Sequence, residues 1–534
     1  MWALNADYII VGAGAAGCAL AHRLSEDSRR KVILLEAGGA DRDPFIHAPG
    51  GLMPLLMSGK HSWNYTSAPQ TELNDRILFL PRGKVLGGGS SINGMIYDRG
   101  TPSDYDRWAA LGNSGWSYAD VLPYFKRAEN YEPGGDALLH GHSGPVRISR
   151  PGVHNPLAKA FLQACEQAGY PYNDDTNGAA REGAGPVDMF VSAGRRWSAA
   201  TAYIKPFRSR SNLDVRLGAH VLKILVENGR AVGVRVREKG QDLDLRADGE
   251  VILCGGGINS PQLLMLSGIG DASTLSQLGI NPVSNLPGVG QNLQDHLSLY
   301  VKQAVTQSVS HYQYVSPLKG ALALGQYLVL RKGPLASTGM EAVAYIRSQP
   351  NVTEPDIKLS LVLALMNDEL TGLMPRHGFM AHVCVVRPHS RGQVTLASPD
   401  PQAAPVVDHR YLSDARDMVD FRNGIKMCRR IFGQAAFDPY RGDELSPGPS
   451  VQTDNEIDAF IRANANADYH TAGTCKMGSD DDSVVDARLR VRGIGGLRVA
   501  DTSVMPTLVG GNTNMPAIMI GEKAADLIRE RSHA

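Results

Sequence analysis

The sequence predicts an α/β protein (α+β overall) in two parts. One is a nucleotide-binding domain assembled from discontinuous segments around a parallel sheet. The other is a substrate domain with an antiparallel sheet and flanking helices. Three observations carry this prediction. A strand, a glycine-rich turn, a helix and a second strand follow one another within residues 7–36. Alternation of apolar and polar residues, the period of antiparallel strands, takes over between residues 300 and 450. Glycine-rich chain returns from about residue 465, so the end of the sequence completes the first domain.

The elements follow in order. Asp7-Tyr-Ile-Ile-Val11 is a short apolar run closed by glycine, which reads as a buried parallel strand. Residues 18–25 have helical spacing, and Lys31-Val-Ile-Leu-Leu-Glu36 is a second buried strand, making a Rossmann-like βαβ unit. Residues 40–80 show no period and read as an ordered excursion. A second glycine cluster spans 81–91, and 92–99 is buried. Helices are expected near 120–130 and over 157–169. Residues 213–216, 220–227 and 231–237 alternate as strands, with Asn228-Gly229 as a hairpin turn. Further strands are expected at 251–254, 357–363, 381–386 and 393–396, and helices at 414–432 and 514–529. The apolar stretch Ala321 to Leu330 reads as a core or channel-lining helix in preference to a membrane anchor. The domains then divide as 1–155, 190–300 and 465–534 for the nucleotide, and 156–189 with 301–464 for the substrate.

Composition removes several classes. Lys+Arg and Asp+Glu both number 54, so a nucleic-acid binder relying on a global positive field is excluded. Glycine, 58 of 534 residues, is clustered and not periodic, which excludes collagen-like and linker readings. No apolar run reaches the ~18 residues of a membrane span, and the start lacks the basic region of a secretory signal. The six cysteines are scattered with no CxxC pair, so neither a disulfide framework nor a zinc ribbon is expected. His140-Gly-His142 has no third ligand nearby, and no metal is expected. The cytoplasm is the expected compartment, with peripheral contact at the inner membrane left open.

Gly12-Ala-Gly14-Ala15-Ala16-Gly17 fits G-x-G-x-x-G between a strand and a helix. Gly12 allows the turn, Gly14 lets backbone N–H groups approach a pyrophosphate, and Gly17 lets helix and strand pack closely. Glu36, 24 residues beyond Gly12, ends the second strand where a carboxylate can bond the ribose hydroxyls and disfavour a 2′-phosphate. The second glycine loop, Gly83 to Asn93, offers more backbone and hydroxyl donors than a nicotinamide dinucleotide requires, and suits a flavin.

The stretch Gly83-Lys-Val-Leu-Gly-Gly-Gly-Ser-Ser-Ile-Asn93, with Tyr97, Gly100 and Asp106, resembles the first signature of the glucose–methanol–choline (GMC) oxidoreductases. Asn259 to Gly270 resembles the second, and Pro287 to His296 is a further similar block. Cys254-Gly-Gly-Gly257 departs from the family, which more often has alanines there. The resemblance implies FAD as cofactor. Gly12, Gly14, Ala15, Ala16, Gly17, Glu36 and Ala37 would hold its ADP half, with Val221 against adenine. Arg82, Val85, Gly87, Gly88, Ser91, Asn93, Gly94, Met95 and Ile96 would hold the flavin. Asp501 would meet the pyrophosphate–ribityl side, and Asn512 and Thr513 would also contact the cofactor. Some members attach FAD through a histidine just before the Asn93 position; Ile92 stands there, so non-covalent FAD is expected.

Asp468-Tyr-His470 to Gly478 resembles the family's active-site histidine block, and Gly511 to Pro516 the block with the second catalytic residue, assigned to Asn514. Histidine titrates near neutrality, so His470 can accept an alcohol proton while hydride passes to flavin N5. The Asn514 amide would hold the same oxygen. The expected activity is oxidation of a primary, uncharged alcohol to an aldehyde. Quinone, artificial dye or dioxygen would be the electron acceptor. The alternatives are a hydroxynitrile-lyase-like enzyme with structural FAD, or an oxidase of the same family.

Overall fold

The computed structural model describes residues 5–367 and 372–530. Its first sheet has the spatial order Leu213–Leu217, Val32–Glu36, Asn5–Val11, Gln241–Leu253, Arg230–Glu238, Ala219–Glu227. The first four run parallel, and Leu497–Val499 joins Gln241–Leu253 in parallel as well. The register explains what this sheet can do. Val11 lies opposite both Leu35 and Leu253, and Leu253 lies opposite Val499. Gly12, Glu36, Cys254 and Ala500-Asp501 therefore emerge side by side at one carboxyl edge, where open α/β sheets bind ligands.

The hairpin between Ala219–Glu227 and Arg230–Glu238 turns through Asn228 and Gly229, both at positive φ (49° and 72°). That is the twist a two-residue turn must supply, and Asn-Gly supplies it with least strain. The first helix, Ala15–Leu24, is buried between this sheet and the last helix, Asn514–Arg529. Backbones meet there without side chains between them. A Cβ on Gly17 would stand 1.9 Å from the Gly12 carbonyl oxygen, and one on Gly521 would stand 2.3 Å from that of Ala16.

The second sheet is antiparallel, in the order Arg441–Ser446, Leu297–Val305, Gly378–Val385, Ile357–Val362, Met340–Ile346, Gly183–Pro186. Asn466–Ala467 pairs with the start of Leu297–Val305 and leads directly to Asp468 and His470. The helix Ala415–Phe432 is capped by Asp414, which accepts from the Arg416 amide at 3.0 Å. Its buried Met418, Phe421, Ile425, Cys428 and Phe432 recur at helical spacing. That stripe is the face turned to the sheet.

One expectation is corrected. The apolar stretch 321–330 belongs to the helix Pro317–Leu330, of which only Ala323 and Tyr327 are buried. It is neither core nor channel lining but an exposed helix. A helix apolar all round has no polar face to show which side meets water, so apolarity alone misplaced it. Within 40–80 the chain forms two short helices, Pro44–His47 and Leu52–Ser58.

Gly521→Leu tests the seating of the first helix. Forcing a side chain between these backbones should destabilise the protein by about 1–3 kcal/mol, read as a lower denaturant midpoint. An unchanged midpoint would show that the two helices do not meet there.

Candidate active site

A cavity of about 1330 Å³ lies between the carboxyl edge of the first sheet and one face of the second. Its size exceeds the ~300–1,000 Å³ of a pocket for one small ligand. At one end are Gly12, Gly14, Ala15, Ala16, Glu36, Ala37 and Val221; at the other Asn93, Gly94, Met95, Ile96, His470, Asn512, Thr513 and Asn514. Arg82, Gly88 and Asp501 line it too.

The first end suits an ADP group. A Cβ on Gly14 would meet no atom within 4 Å, so the cavity begins at its backbone. Gly14 caps the first helix without any side chain, leaving that helix's first amides free for an anion. The Glu36 carboxylate accepts from the amides of Gly38 (2.8 Å) and Ala13 (3.1 Å), and burial still pushes its carboxyl up to about 7. Trp63 stands beside Val221's neighbour His220, ring centroids 5.4 Å apart, with the Lys84 ammonium over its face.

The second glycine loop is held from behind. The buried Arg196 guanidinium donates to the carbonyls of Ile46 (2.7 Å), Ser90 (3.3 Å) and Asn93 (2.6 Å), and to Asn93 Oδ1 (2.9 Å). Burial lowers its pKa to about 9. Arg82 donates through Nη1 to the Tyr469 carbonyl, while its Nε and Nη2 are buried without a partner. Orphan donors on a cavity wall fit a ligand rich in acceptors, as a dinucleotide is. Asp501 accepts from the Gly256 amide, Ser260 Oγ and the Ser503 amide, and burial raises its carboxyl.

Four residues expected at the cofactor do not line the cavity: Gly17, Val85, Gly87 and Ser91. They build the wall from behind. Gly17 packs on Gly12. Val85 is buried with Ile46, Leu55 and Ile92. The Gly87 amide donates to the Ala13 carbonyl, joining the two glycine loops, and Ser91 Oγ donates to the Leu86 carbonyl.

At the far end, His470 meets Asn512 and not Asn514. Asn512 Nδ2 lies 2.9 Å from His470 Nε2. Asn514 is the first residue of the last helix; it lines the cavity but makes no hydrogen bond with His470. On the other side of the ring, His470 Nδ1 is 2.9 Å from His296 Nδ1 and 3.2 Å from Asp468 Oδ2. His296 Nε2 is 3.1 Å from the Val386 carbonyl oxygen, and Asn512 Oδ1 is 2.5 Å from Lys358 Nζ.

These contacts fix the protons. A carbonyl only accepts, so His296 carries its proton on Nε2. Burial, with His470 close by, lowers His296 to about 3, so it is neutral and its Nδ1 is a bare acceptor. His470 must then donate from Nδ1. The Lys358 ammonium only donates, so the Asn512 oxygen faces it and the amide NH₂ faces His470. His470 Nε2 therefore carries no proton; at the cavity wall it accepts from the Asn512 amide. Burial alone would raise the Asp468 carboxyl, but His382 (3.1 Å away) and His470 hold it well below the usual carboxylate range. His296, Cys384 and Asp468 lie close enough to suggest a metal. Their atoms are engaged in this network instead, and burial pushes the Cys384 thiol up.

The backbone at the site is strained. Tyr469 has φ 67°, which for a bulky residue costs about 1–3 kcal/mol. Hydrogen bonds from Arg82 to its carbonyl (2.7 Å) and from the His470 amide to Asp295 (2.5 Å) hold it there.

A glycine-lined dinucleotide cradle opening onto a hydrogen-bonded histidine and asparagine defines a dinucleotide-dependent oxidoreductase. The model of the GMC oxidoreductase N-terminal region matches residues 6–298, and that of the C-terminal region 388–521. The chain belongs to the GMC oxidoreductase family, whose members bind FAD and act on alcohol CH–OH groups. It is 48% identical over 527 residues to a protein of Sinorhizobium fredii named oxygen-dependent choline dehydrogenase, covering 98% of this chain and 96% of that one. Among solved structures it is similar to pyridoxine 4-oxidase from Mesorbium loti, with a TM-score of 0.90, 32% identity, and coverage of 99% and 100%. It is also similar to formate oxidase of Aspergillus oryzae, with a TM-score of 0.92, 27% identity, and 99% of each chain covered.

Sequence reasoning missed the roles of His296, Lys358 and Arg196, and assigned Asn512 to the cofactor alone. His296 closes the block Pro287 to His296, which could have drawn attention to it. Lys358 had no signal: in Ile357–Val362 it alternates with apolar residues as a solvent-facing lysine would.

Asn512→Asp replaces the donor facing His470 with an acceptor. Alcohol-driven flavin reduction should fall by about 10²–10³, measured by anaerobic stopped flow, while Asn514→Asp falls by less. The reverse order would return the partner role to Asn514.

Proposed function

We propose that this chain oxidises a small, uncharged primary alcohol to an aldehyde, with His470 as proton acceptor and FAD held without a covalent bond. The unprotonated Nε2 of His470, with the Asn512 amide as its neighbour on the cavity wall, carries the reading. Nε2 and Asn512 Nδ2 are hydrogen-bonded at 2.9 Å, and an alcohol hydroxyl that takes the place of this bond can engage both groups. The hydroxyl donates to Nε2 as the amide donates to the oxygen, which stabilises the charge that grows as the proton leaves. Asp468 and His296 hold the proton on Nδ1, so the imidazolium forms with both its N–H groups satisfied. FAD, when bound, supplies the hydride acceptor. Arg82, Asn93 to Ile96, Thr513 and Asp501 would hold it on the flavin side, and Glu36, Ala37 and Val221 at the adenosine side. Ile92 lines the cavity with a side chain that forms no bond to a flavin.

An uncharged substrate is favoured by the electrostatics of the cavity. Among the described lining residues the carboxylates are Glu36, Asp468 and Asp501. Each is engaged, by backbone amides, histidines or hydroxyls. The charge nearest Asn512 is the Lys358 ammonium, which opposes a quaternary ammonium. Met340, Val362 and Met380 supply apolar walls nearby. The names of the relatives, an oxygen-dependent dehydrogenase and oxidases, support dioxygen as the acceptor. Six free, buried cysteines suit a reducing compartment, and we place the protein in the cytoplasm.

His470→Ala should slow flavin reduction by alcohol about 10²–10⁴-fold while FAD content, read by absorbance and released by acid, is unchanged. Equal rates in variant and parent would remove the base. In a panel of alcohols, neutral primary alcohols should exceed choline in kcat/KM by about tenfold or more, one charge contact of about 1.4 kcal/mol. Lys358→Met should narrow that gap, and a preference for choline in the parent would overturn the uncharged class.

A further inference from the structure

The helix Pro317–Leu330 inverts the usual order of a surface. Its outward residues include Leu318, Leu322 (65% exposed), Leu324, Leu328, Val329 (79%) and Leu330. Monomeric proteins rarely leave such a contiguous apolar patch in water. No helix among the described residues is long and apolar enough to cross a membrane, so this one can only lie on a surface.

Charge indicates what covers it. Between residues 296 and 340 the sequence has no aspartate and no glutamate. The helix and its ends carry Lys319, Arg331 and Lys332. None of the three makes an ion pair among the described residues: Lys319 bonds the neutral Gln313 (3.2 Å), and the Arg331 guanidinium lies 5.0 Å over the Tyr327 ring. Apolar side chains framed by unpaired cations match the acyl layer and headgroups of an anionic bilayer, with the long basic side chains reaching back to the phosphates. A second copy docked on the same patch would bring these cations against their own counterparts.

Position gives the patch a purpose. The two turns that flank the helix, His311–Val315 and Pro334–Ala336, both reach the cavity: His311, Tyr314, Pro334 and Leu335 line it. Leu335 packs on Gly50, beside the helix Leu52–Ser58, whose Met57 both lines the cavity and is exposed. We propose that the helix Pro317–Leu330 seats on an anionic lipid bilayer, setting the mouth of the cavity at the bilayer surface.

The test uses the full-length, FAD-loaded protein and vesicle flotation. The parent should float with phosphatidylglycerol–phosphatidylethanolamine vesicles and remain behind with phosphatidylcholine alone. The double variant Leu322→Glu/Leu328→Glu should lose flotation by about tenfold or more, with FAD content and alcohol oxidation by a water-soluble acceptor unchanged. Lys319→Gln/Arg331→Gln/Lys332→Gln should weaken flotation and flatten its salt dependence. Equal flotation of parent and Leu322→Glu/Leu328→Glu overturns the proposal. So does a parent that never floats and sediments as a dimer which that variant dissociates, because the patch is then an interface between copies.

Discussion

A carbonyl oxygen can only accept a hydrogen bond and an ammonium can only donate one. These two facts, at the ends of a chain of five groups, decide where His470 keeps its proton. The chain runs from the Val386 carbonyl through His296, His470 and Asn512 to the Lys358 ammonium. Reversing any ring or amide within it would set donor against donor or leave a buried group unpaired, at about 1–3 kcal/mol each. Both terminal groups come from the second sheet or its immediate edge: Lys358 is in Ile357–Val362 and Val386 directly follows Gly378–Val385. The second sheet thus sets the state of a histidine that the returning chain delivers.

Lys358 is itself held by a buried ionic centre. Asp98 accepts from Arg181 through both carboxylate oxygens (2.8 Å each) and from the Tyr345 hydroxyl (2.7 Å), with Lys358 3.5 Å away. Burial would raise the Asp98 carboxyl, but Arg181 and Lys358 hold it well below its usual value. Taking these charges out of water is unfavourable, and such a centre is weak evidence of stability. What it does is join three parts of the chain at one point. Arg181 also bonds the Gly510 carbonyl (2.9 Å), and a Cβ on Gly511 would stand 2.2 Å from Asp98. Asn512 follows immediately, so its place is set by the ionic centre as well as by His470.

How far the sequence foretold this varies with the kind of signal. The strand–turn–helix–strand opening, the Asn228-Gly229 hairpin and the helix capped by Asp414 were legible, because each writes its geometry into a local period or a turn residue. The glycine turns were legible for the same reason: Gly12, Gly14 and Gly88 line the cavity, while Gly17, Val85, Gly87 and Ser91 stand behind it. A conformational requirement does not say which side of a loop faces the ligand. Asn512 and Asn514 could not be told apart locally: both are asparagines in one short block, and only the start of the last helix decides which reaches His470. Lys358 was hidden because a strand facing a polar cavity and one facing water share the same alternation. Pro317–Leu330 was misplaced for the converse reason, its surface carrying the composition of an interior.

The two layers divide the work unequally between backbone and side chain. At the carboxyl edge of the first sheet the cavity wall is largely main chain: amides at the start of the first helix, the Ala13–Gly87 link, and close approaches at Gly12, Gly17 and Gly521. Such a wall tolerates much sequence change provided the glycines stay, and it accounts for a fold held in common at 27–32% identity. At the other end side chains of the second sheet join His470 and Asn512 on the cavity wall, and there single exchanges change charge and shape without disturbing any strand. Lys358 is one of these. Similarity across the whole chain therefore carries over the family's fold, its FAD and the oxidation of an alcohol. The second sheet turns Met340, Lys358, Ser360, Val362, Met380 and His382 into the cavity, and such positions can differ between relatives that share the fold.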